Sequence, residues 1–401
     1  MKISDIRRLI PAAGLKEYWY PALKLGSVGH KPVGRKLLGE DIVFFRGKSG
    51  EVVALANACP HRGGSLMEGD CHYAGTVACP YHGWVFDEDG ECVAVLSEGP
   101  DSRIPGRVRA RKFPTKAVGD LLFVWLGDGQ PVPIEHDVPP EMFEGGDMMV
   151  FTAITHWPIN WRVALENSLD SHVMYVHRNA LIQLKDPIVQ FGPIGNRART
   201  LPGKACIGYM PSVPKPGREY YPKLDGWWPK REWRRLWLWA FRWNLSNVVK
   251  GWSDYPPFNG DEEWDMHTSL DGKRVRAGGH HLPSMFRFDF GKHMLTRICV
   301  PIDEANTQIV YYHAVRRSGA MGRALHRLYY YGFYRWAMYG NFSKQDLKVM
   351  ATQRFDTPEH LSATDAEVAG WRQLLLKARG MPGHTATPPG GDESVPRAAA
   401  K

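Results

Sequence analysis

The chain has 401 residues, 43% of them hydrophobic and 23% charged, with a net charge of +9. That leaves room for two domains of ordinary soluble composition. No run of 18 or more apolar residues occurs, which excludes a simple membrane-spanning helix. No nucleic-acid-binding module accompanies the positive charge, so nucleic acid is not an expected partner. The excess charge suits solubility, or docking to an acidic protein or an anionic membrane surface.

The first 17 residues read as a helical lead-in without the apolar run of a secretory signal, and the expected location is the cytoplasm. A β-rich domain is expected over residues 18–135. Asp41–Phe45 and Glu51–Leu55 flank a glycine-bearing turn, as do Trp84–Phe86 and Cys92–Val95, and Leu121–Trp125 reads as a closing strand. The proline-rich stretch Pro131–Pro140 marks the boundary to a mixed domain over residues 136–380. There, Trp161–Arg178 reads as a helix and Met294–Val315 holds strand-like runs. Residues 357–379 read as a helix with Thr357-Pro358-Glu359 as its start. Residues 381–401, with Pro388-Pro389-Gly390-Gly391, are expected to be a disordered tail.

Six cysteines are present: Cys59, Cys71, Cys79, Cys92, Cys206 and Cys299. In a reducing compartment they read as metal ligands or core thiols rather than disulfides. Cys59-Pro60-His61-Arg62-Gly63-Gly64 precedes Cys79-Pro80-Tyr81-His82-Gly83-Trp84, giving C-x-H, seventeen residues, then C-x-x-H. Each loop offers one thiolate and one imidazole. A two-iron cluster can use such a set asymmetrically, both Cys on one iron and both His on the other. The competing reading is a Cys2His2 zinc site, although zinc ligands usually pair as C-x2-4-C and H-x3-5-H. Cys71, Cys92 and His72 are expected to be spectators.

This segment resembles the Rieske domain of ring-hydroxylating oxygenases. The Rieske proteins of respiratory complexes add a cysteine to each loop and bridge the two. The matching positions here are Gly64 and Tyr81, which rules that bridge out.

Beyond the first domain, Asn160-Trp161-Arg162-Val163-Ala164-Leu165-Glu166-Asn167 leads to Asp170, His172 and His177. Two histidines and a distant carboxylate form the facial triad of non-haem Fe(II) oxygenases. On a regular helix His172 and His177 stand about 140° apart, so one metal reaches both only if the helix distorts or ends between them. The stretch resembles the terminal oxygenase of carbazole dioxygenase and related homotrimeric Rieske oxygenases. That resemblance makes His172 and His177 iron ligands and gives Asp170 an electron-relay role, with Glu166 and Asn167 beside it. Here His172 follows Asp170 by two residues where the family pattern has three. The third iron ligand is expected at Asp346, in Asn341–Met350, with Asp356 and Glu359 as rivals.

Trp227–Trp243 and Arg323–Tyr339 mix aromatic and basic residues, which suits the wall of an apolar substrate pocket or the headgroup zone of a bilayer. The expected fold is α+β: an antiparallel β Rieske domain, then a helix-grip-like catalytic domain with an antiparallel sheet and helices. The resemblance implies a homotrimer, one [2Fe–2S] cluster and one Fe2+ per subunit, and O2 as co-substrate. It also implies electrons from NAD(P)H through a reductase, with or without a ferredoxin. The expected reaction is hydroxylation of an aromatic or other hydrophobic small molecule. The alternatives are oxidative O- or N-demethylation, an electron carrier without oxygenase activity, and a zinc-stabilised interaction module.

Overall fold

The computed structural model describes residues 3–169, 176, 195–200, 206–212, 267–268, 274–275, 279–289, 293–353, 357–362 and 365–381. A short helix, α1 (Ile3–Leu9), precedes ten strands: β1 (Trp19–Lys24), β2 (Val33–Leu37), β3 (Glu40–Arg46), β4 (Val52–Ala56), β5 (Thr76–Ala78), β6 (Trp84–Asp87), β7 (Cys92–Val95), β8 (Lys112–Phe113), β9 (Thr115–Val118) and β10 (Leu121–Trp125). They form three antiparallel sheets, ordered β2-β3-β4-β8, β5-β6-β7 and β1-β10-β9.

Strand alternation separates two cores. On β3, Ile42 and Phe44 enter the larger core while Val43 and Phe45 enter a smaller one. Val52 and Ala54 on β4 repeat the first choice, Val53 and Leu55 the second. A strand covered on both faces reads as a continuous apolar run, which is why Ile42–Phe45 lacks polar breaks. The smaller core also contains Cys59, Cys79, Trp84 and Phe86. The two Cys-His loops are therefore rooted in packed side chains.

The larger core runs on through Ile134 and Val138 into the second half. That half contains β11 (Met148–Trp157), β12 (Gly195–Thr200), β13 (Cys206–Ser212), β14 (His267–Thr268), β15 (Arg274–Val275), β16 (Gly279–His281), β17 (Met285–Asp289), β18 (His293–Pro301) and β19 (Thr307–Arg316). Seven of them make one antiparallel sheet, ordered β11-β19-β18-β17-β16-β13-β12, and β14 pairs with β15. Among the described residues its helices include α2 (Trp161–Glu166), α3 (Ala320–Tyr329), α4 (Ser343–Met350) and α5 (Ala366–Leu375). The architecture is the expected α+β arrangement of an antiparallel β domain followed by an antiparallel sheet with helices. Among the described residues no helix is long and apolar enough to cross a membrane.

The helical run over residues 320–350 lies on one face of the large sheet. It widens into π-helical turns at Tyr330–Tyr334 and Trp336–Phe342. Tyr330 stacks on Phe151 at 4.2 Å, Tyr334 packs on His313 at 4.2 Å and Tyr339 stacks on Tyr311 at 4.1 Å. Burial pushes the Tyr334 and Tyr339 hydroxyls well above their usual range, and His313 well below its own. These groups stay neutral. Arg323–Tyr339 thus forms an aromatic wall through part of its surface, while Leu328, Tyr331 and Trp336 face outward. The other aromatic–basic segment, Trp227–Trp243, lies outside the described residues.

Two helix boundaries differ from expectation. The helix expected over Trp161–Arg178 ends at Glu166, where the Ser168 and Leu169 N–H groups turn back to Leu165 and Glu166 at 2.9 Å each. Ser168 Oγ stabilises this tight turn through the Leu165 carbonyl at 2.6 Å and His280 Nε2 at 3.0 Å. The helix expected from Thr357 begins only at Ala366. Glu359 is drawn away by Arg372, and Ser362 donates to Asp365 Oδ2 in a local turn. Residues 382–401, where a disordered tail was expected, lie outside the described residues.

Glu141 and Arg287 pair at 2.9 Å with both side chains fully buried, joining the proline-rich connection to β17. Breaking a buried pair leaves an uncompensated charge and costs about 3–5 kcal/mol. Glu141→Gln should lower the free energy of unfolding by about that amount in denaturant titrations, and Glu141→Gln with Arg287→Met should recover part of it.

Candidate metal centres

The two Cys-His loops are folded alike. In the first, the Cys59 N–H donates to Gly64 O and the Gly63 N–H returns to Cys59 O, both at 2.8 Å. In the second, the Cys79 N–H donates to Trp84 O at 2.8 Å and the Gly83 N–H to Cys79 O at 3.0 Å. Gly63 and Gly83 both have left-handed backbones, with φ of +74° and +63°. Only glycine adopts that conformation without steric penalty. Each loop can therefore turn tightly and present its cysteine and its histidine on one side.

The rings of His61 and His82 approach to 4.7 Å, edge to face. His61 lies flat on Trp84 at 4.7 Å with the planes 2° apart, and Tyr81 packs on His82 at 3.8 Å. Ser97 Oγ donates to the His82 carbonyl at 2.8 Å. Cys59 and Cys79 sit beneath, 2% and 4% exposed. Burial pushes the Cys59 thiol up to about 11, partly offset by the His61 backbone N–H and reinforced by neighbouring Cys79. Such a thiol ionises only with help from a cation, so metal binding there would release a proton.

The donors fit a two-iron cluster: the cysteines are paired below and the histidines above. Among the described residues no three His, Cys, Asp or Glu side chains converge on one ion position, as a Cys2His2 zinc site requires. A Cβ on Gly64 would lie 3.9 Å from Tyr81 Cβ and 3.2 Å from Cys79 Sγ. The first distance is that of disulfide-bonded Cβ atoms. Gly64 and Tyr81 thus face each other as the sequence comparison implied, and no bridge is possible. Cys92 is a buried free thiol, and His72 is exposed beside Asp70 at 3.8 Å.

Of the residues expected at the second centre, the structure describes Glu166, Asn167 and Asp346, whereas Asp170, His172 and His177 lie outside the described residues. Asp346 sits on α4 and is 3% exposed. One turn before it, Ser343 Oγ accepts the Tyr311 hydroxyl at 3.0 Å. Asp346 therefore faces the sheet as an iron ligand would have to. Of its rivals, Asp356 lies outside the described residues and Glu359 is engaged by two arginines.

The Asn160-Trp161-Arg162 stretch turns out to be a clasp. Asn160 caps α2 through the Arg162 N–H at 3.0 Å and donates to the carbonyls of Ala12 and Glu304. Trp161 Nε1 donates to Pro11 O at 3.1 Å, and Arg162 Nη1 to Ile10 O at 2.8 Å. The residues that carry the family resemblance thus tie the lead-in chain to α2.

Glu166, expected beside the relay residue, is held by charge. Arg372, buried on α5, donates from Nε at 2.7 Å and from Nη2 at 2.8 Å to its two carboxylate oxygens. Arg372 also grips Glu359 at 2.6 and 2.8 Å, and Arg7 meets Glu359 at 2.9 Å. This network fixes the end of α2. Nothing local in the sequence linked Arg7, Glu166, Glu359 and Arg372. Asn167 closes α2 and is 8% exposed.

Residues 18–114 match the Rieske [2Fe-2S] domain family, and residues 125–202 match the family described as homotrimeric ring hydroxylases. Together with the loop geometry, these matches place a Rieske-like segment ahead of a segment similar to ring hydroxylases. The chain is 33% identical over 185 residues to the terminal oxygenase component of carbazole 1,9a-dioxygenase from a Sphingomonas species, covering 44% of this chain and 47% of that protein. It is 35% identical over 181 residues to the oxygenase subunit of 3-chlorobenzoate-3,4-dioxygenase from Comamonas testosteroni, covering 44% and 41%. The chain thus spans about half the length of the curated relatives it matches. The fold matches the terminal oxygenase of carbazole 1,9a-dioxygenase from Nocardioides aromaticivorans IC177 with a TM-score of 0.69 at 21% identity, over 94% of this chain and 98% of that one. A carbazole dioxygenase oxygenase of this fold is also known in complex with ferredoxin. The chain is thus similar over part of its length to the oxygenase components of Rieske ring-hydroxylating systems, and its fold is that of the carbazole 1,9a-dioxygenase terminal oxygenases.

Although burial alone would raise it, the hydrogen bonds and charge of Arg372, with Arg7 behind, hold the Glu359 carboxyl below its ordinary value. A depressed folded-state pKa stabilises the fold above the unfolded value, about 4.3 for Glu, and that contribution is lost as pH falls through the folded value. The melting temperature should therefore decline below about pH 4.3. Glu359→Gln should be less stable at neutral pH and show a shallower acid decline over the same range.

Proposed function

We propose that this protein is the terminal oxygenase of a multicomponent Rieske system that hydroxylates an aromatic or other hydrophobic small molecule. The observation that carries this reading is the coexistence of two features in one chain. One is a pair of matched Cys-His loops, and the other is a buried, inward-facing carboxylate on a helix packed against the large sheet. Bound there, the cluster would supply single electrons and the mononuclear iron would activate O2 for insertion into substrate.

Cys59 and Cys79 would hold one cluster iron, and His61 and His82 the other. Trp84 fixes the plane of the His61 ring, and the hydrogen bond from Ser97 fixes the backbone at His82. Asp346 would complete a facial triad with His172 and His177, with Asp170 as the relay carboxylate. Glu166 positions this segment through Arg372, and Asn167 closes the helix before it. The aromatic side chains of residues 330–339 exclude water from the face of the sheet beneath them. Electrons would come from NAD(P)H through a reductase, with or without a ferredoxin, the kind of partner with which an oxygenase of this fold forms a complex. A homotrimer would bring one subunit's cluster near the next subunit's iron. The family matches over residues 18–114 and 125–202 support a division into a Rieske domain over 18–135 and a catalytic domain over 136–380.

Purified protein supplied with ferredoxin, reductase, NADH and a panel of aromatic compounds should show substrate-dependent O2 uptake and place label from 18O2 in the product. Uptake that no compound stimulates would remove the oxygenase reading. Wild type should hold about three iron atoms per chain, two in the cluster and one mononuclear. Asp346→Ala should fall to about two while keeping the Rieske electron paramagnetic resonance signal. Full iron retention would move the third ligand elsewhere.

A further inference from the structure

The helical run over residues 320–350 packs one face on the large sheet, through Tyr330 on Phe151, Tyr334 on His313 and Tyr339 on Tyr311. Its other face meets solvent, where a helix normally shows polar side chains. This one shows the reverse. Met321, Ala324, Leu328, Tyr331 and Arg335 are all exposed at spacings of three and four, with Arg327 and Trp336 exposed next to them in sequence. Met321 and Leu328, 72% and 71% exposed, are the most exposed large hydrophobic side chains among the described residues. Single apolar side chains on a surface are ordinary, whereas a contiguous row marks an interaction site.

The charge on this face has one sign. No aspartate or glutamate occurs between Glu304 and Asp346, a stretch that includes Arg323, Arg327, Arg335 and Lys344. The carboxylates at its border are engaged: Glu144 pairs with Arg316 at 2.9 Å, and Asp147 lies 4.0 Å from Arg323. Arg323 also donates to the Gly146 carbonyl at 2.9 Å, which ties down the start of the helix. Arg327 and Arg335, by contrast, have no carboxylate partner among the described residues. A second copy meeting this face through its own would set arginine against arginine with no acid between them. The interface of an anionic bilayer offers what is missing: phosphates for the two guanidinium groups, and an acyl boundary for Met321, Leu328 and the ring of Trp336.

We infer that the outer face of residues 321–336 is a peripheral docking surface for an anionic lipid bilayer. No described helix is long and apolar enough to cross a membrane, so the run lies along the surface. The long arginine stems keep their charges at the level of the headgroups while the apolar side chains between them reach deeper. This surface is independent of the oxygenase reading and goes beyond it.

Flotation of the whole protein with lipid vesicles is the test. Wild type should rise with vesicles of equal parts phosphatidylglycerol and phosphatidylcholine and stay behind with phosphatidylcholine alone. Arg327→Gln with Arg335→Gln should weaken that binding about 25-fold, about fivefold for each arginine, and flatten its decline with salt. Met321→Gln with Leu328→Gln should weaken binding while leaving the decline with salt in place. Circular dichroism checks that both variants fold, and if one does not, the other variant and the wild-type lipid preference decide. No flotation by wild type, equal flotation with both kinds of vesicle, or undiminished flotation in the folded variants overturns the inference. If wild type does not float, a lower sedimentation coefficient in the Met321 and Leu328 variant would assign the face to a second copy of the chain. Slower reduction by a ferredoxin in the arginine variant would instead assign it to an acidic protein.

Discussion

Two loops with the same backbone hydrogen bonds carry the same pair of donor types to one place, and the rest of the molecule is organised around keeping them there. A [2Fe–2S] cluster with two thiolate and two imidazole ligands needs its cysteines buried and its histidines near the surface, all in fixed orientation. The smaller core supplies the first requirement by packing Cys59 and Cys79 against Trp84, Phe86 and the second faces of β3 and β4. The left-handed glycines supply the second, since any side chain at Gly63 or Gly83 would strain the turn. The stack of His61 on Trp84 adds a rigid aromatic support to a ring that would otherwise depend on metal coordination for its orientation.

The two halves of the chain are joined by polar contacts as well as by the shared core. Gln308 on β19 donates to the carbonyls of Pro21 and Ala22 at 2.9 and 3.2 Å, and Lys24 reaches Thr152 O at 2.9 Å. Trp161 and Arg162 hold the lead-in chain, whose Arg7 joins the network around Glu359. Helix α2 is thus gripped from three directions: by the N-terminal residues, by Arg372 on the last helix, and by Arg297 from the sheet. An iron site built on short elements gains precision from such cross-bracing, because a short helix does not hold its own end still.

Local patterns were legible and distant pairings were not. The matched loops could be read because C-x-H and C-x-x-H bring their donors together within each loop, whatever the fold beyond. Strands β3, β4, β6, β7 and β10 were readable from β-rich runs bounded by glycine turns. The helix ends at Glu166 and Ala366 were misread for a common reason. Glu166 and Glu359 look like ordinary helix residues until Arg372 is known to lie between them, about 206 positions from the first. Arg297 was silent in the sequence for a related reason, since an arginine within an apolar strand announces neither its burial nor its bond to the Ala164 carbonyl. Asp346 was expected through a family resemblance, and its burial on α4 could not be read from sequence spacing.

The central claim is that one polypeptide houses two chemically different iron environments, the first of them split between sulfur-rich and nitrogen-bearing irons. Mössbauer spectroscopy of the reduced, 57Fe-enriched protein reads this directly. It should resolve a localised ferric–ferrous cluster, with the ferrous site carrying the imidazoles, alongside a separate high-spin ferrous component of about half the cluster's intensity. A spectrum fitted by cluster iron alone, in protein that retains its substrate-dependent O2 uptake, would contradict the account.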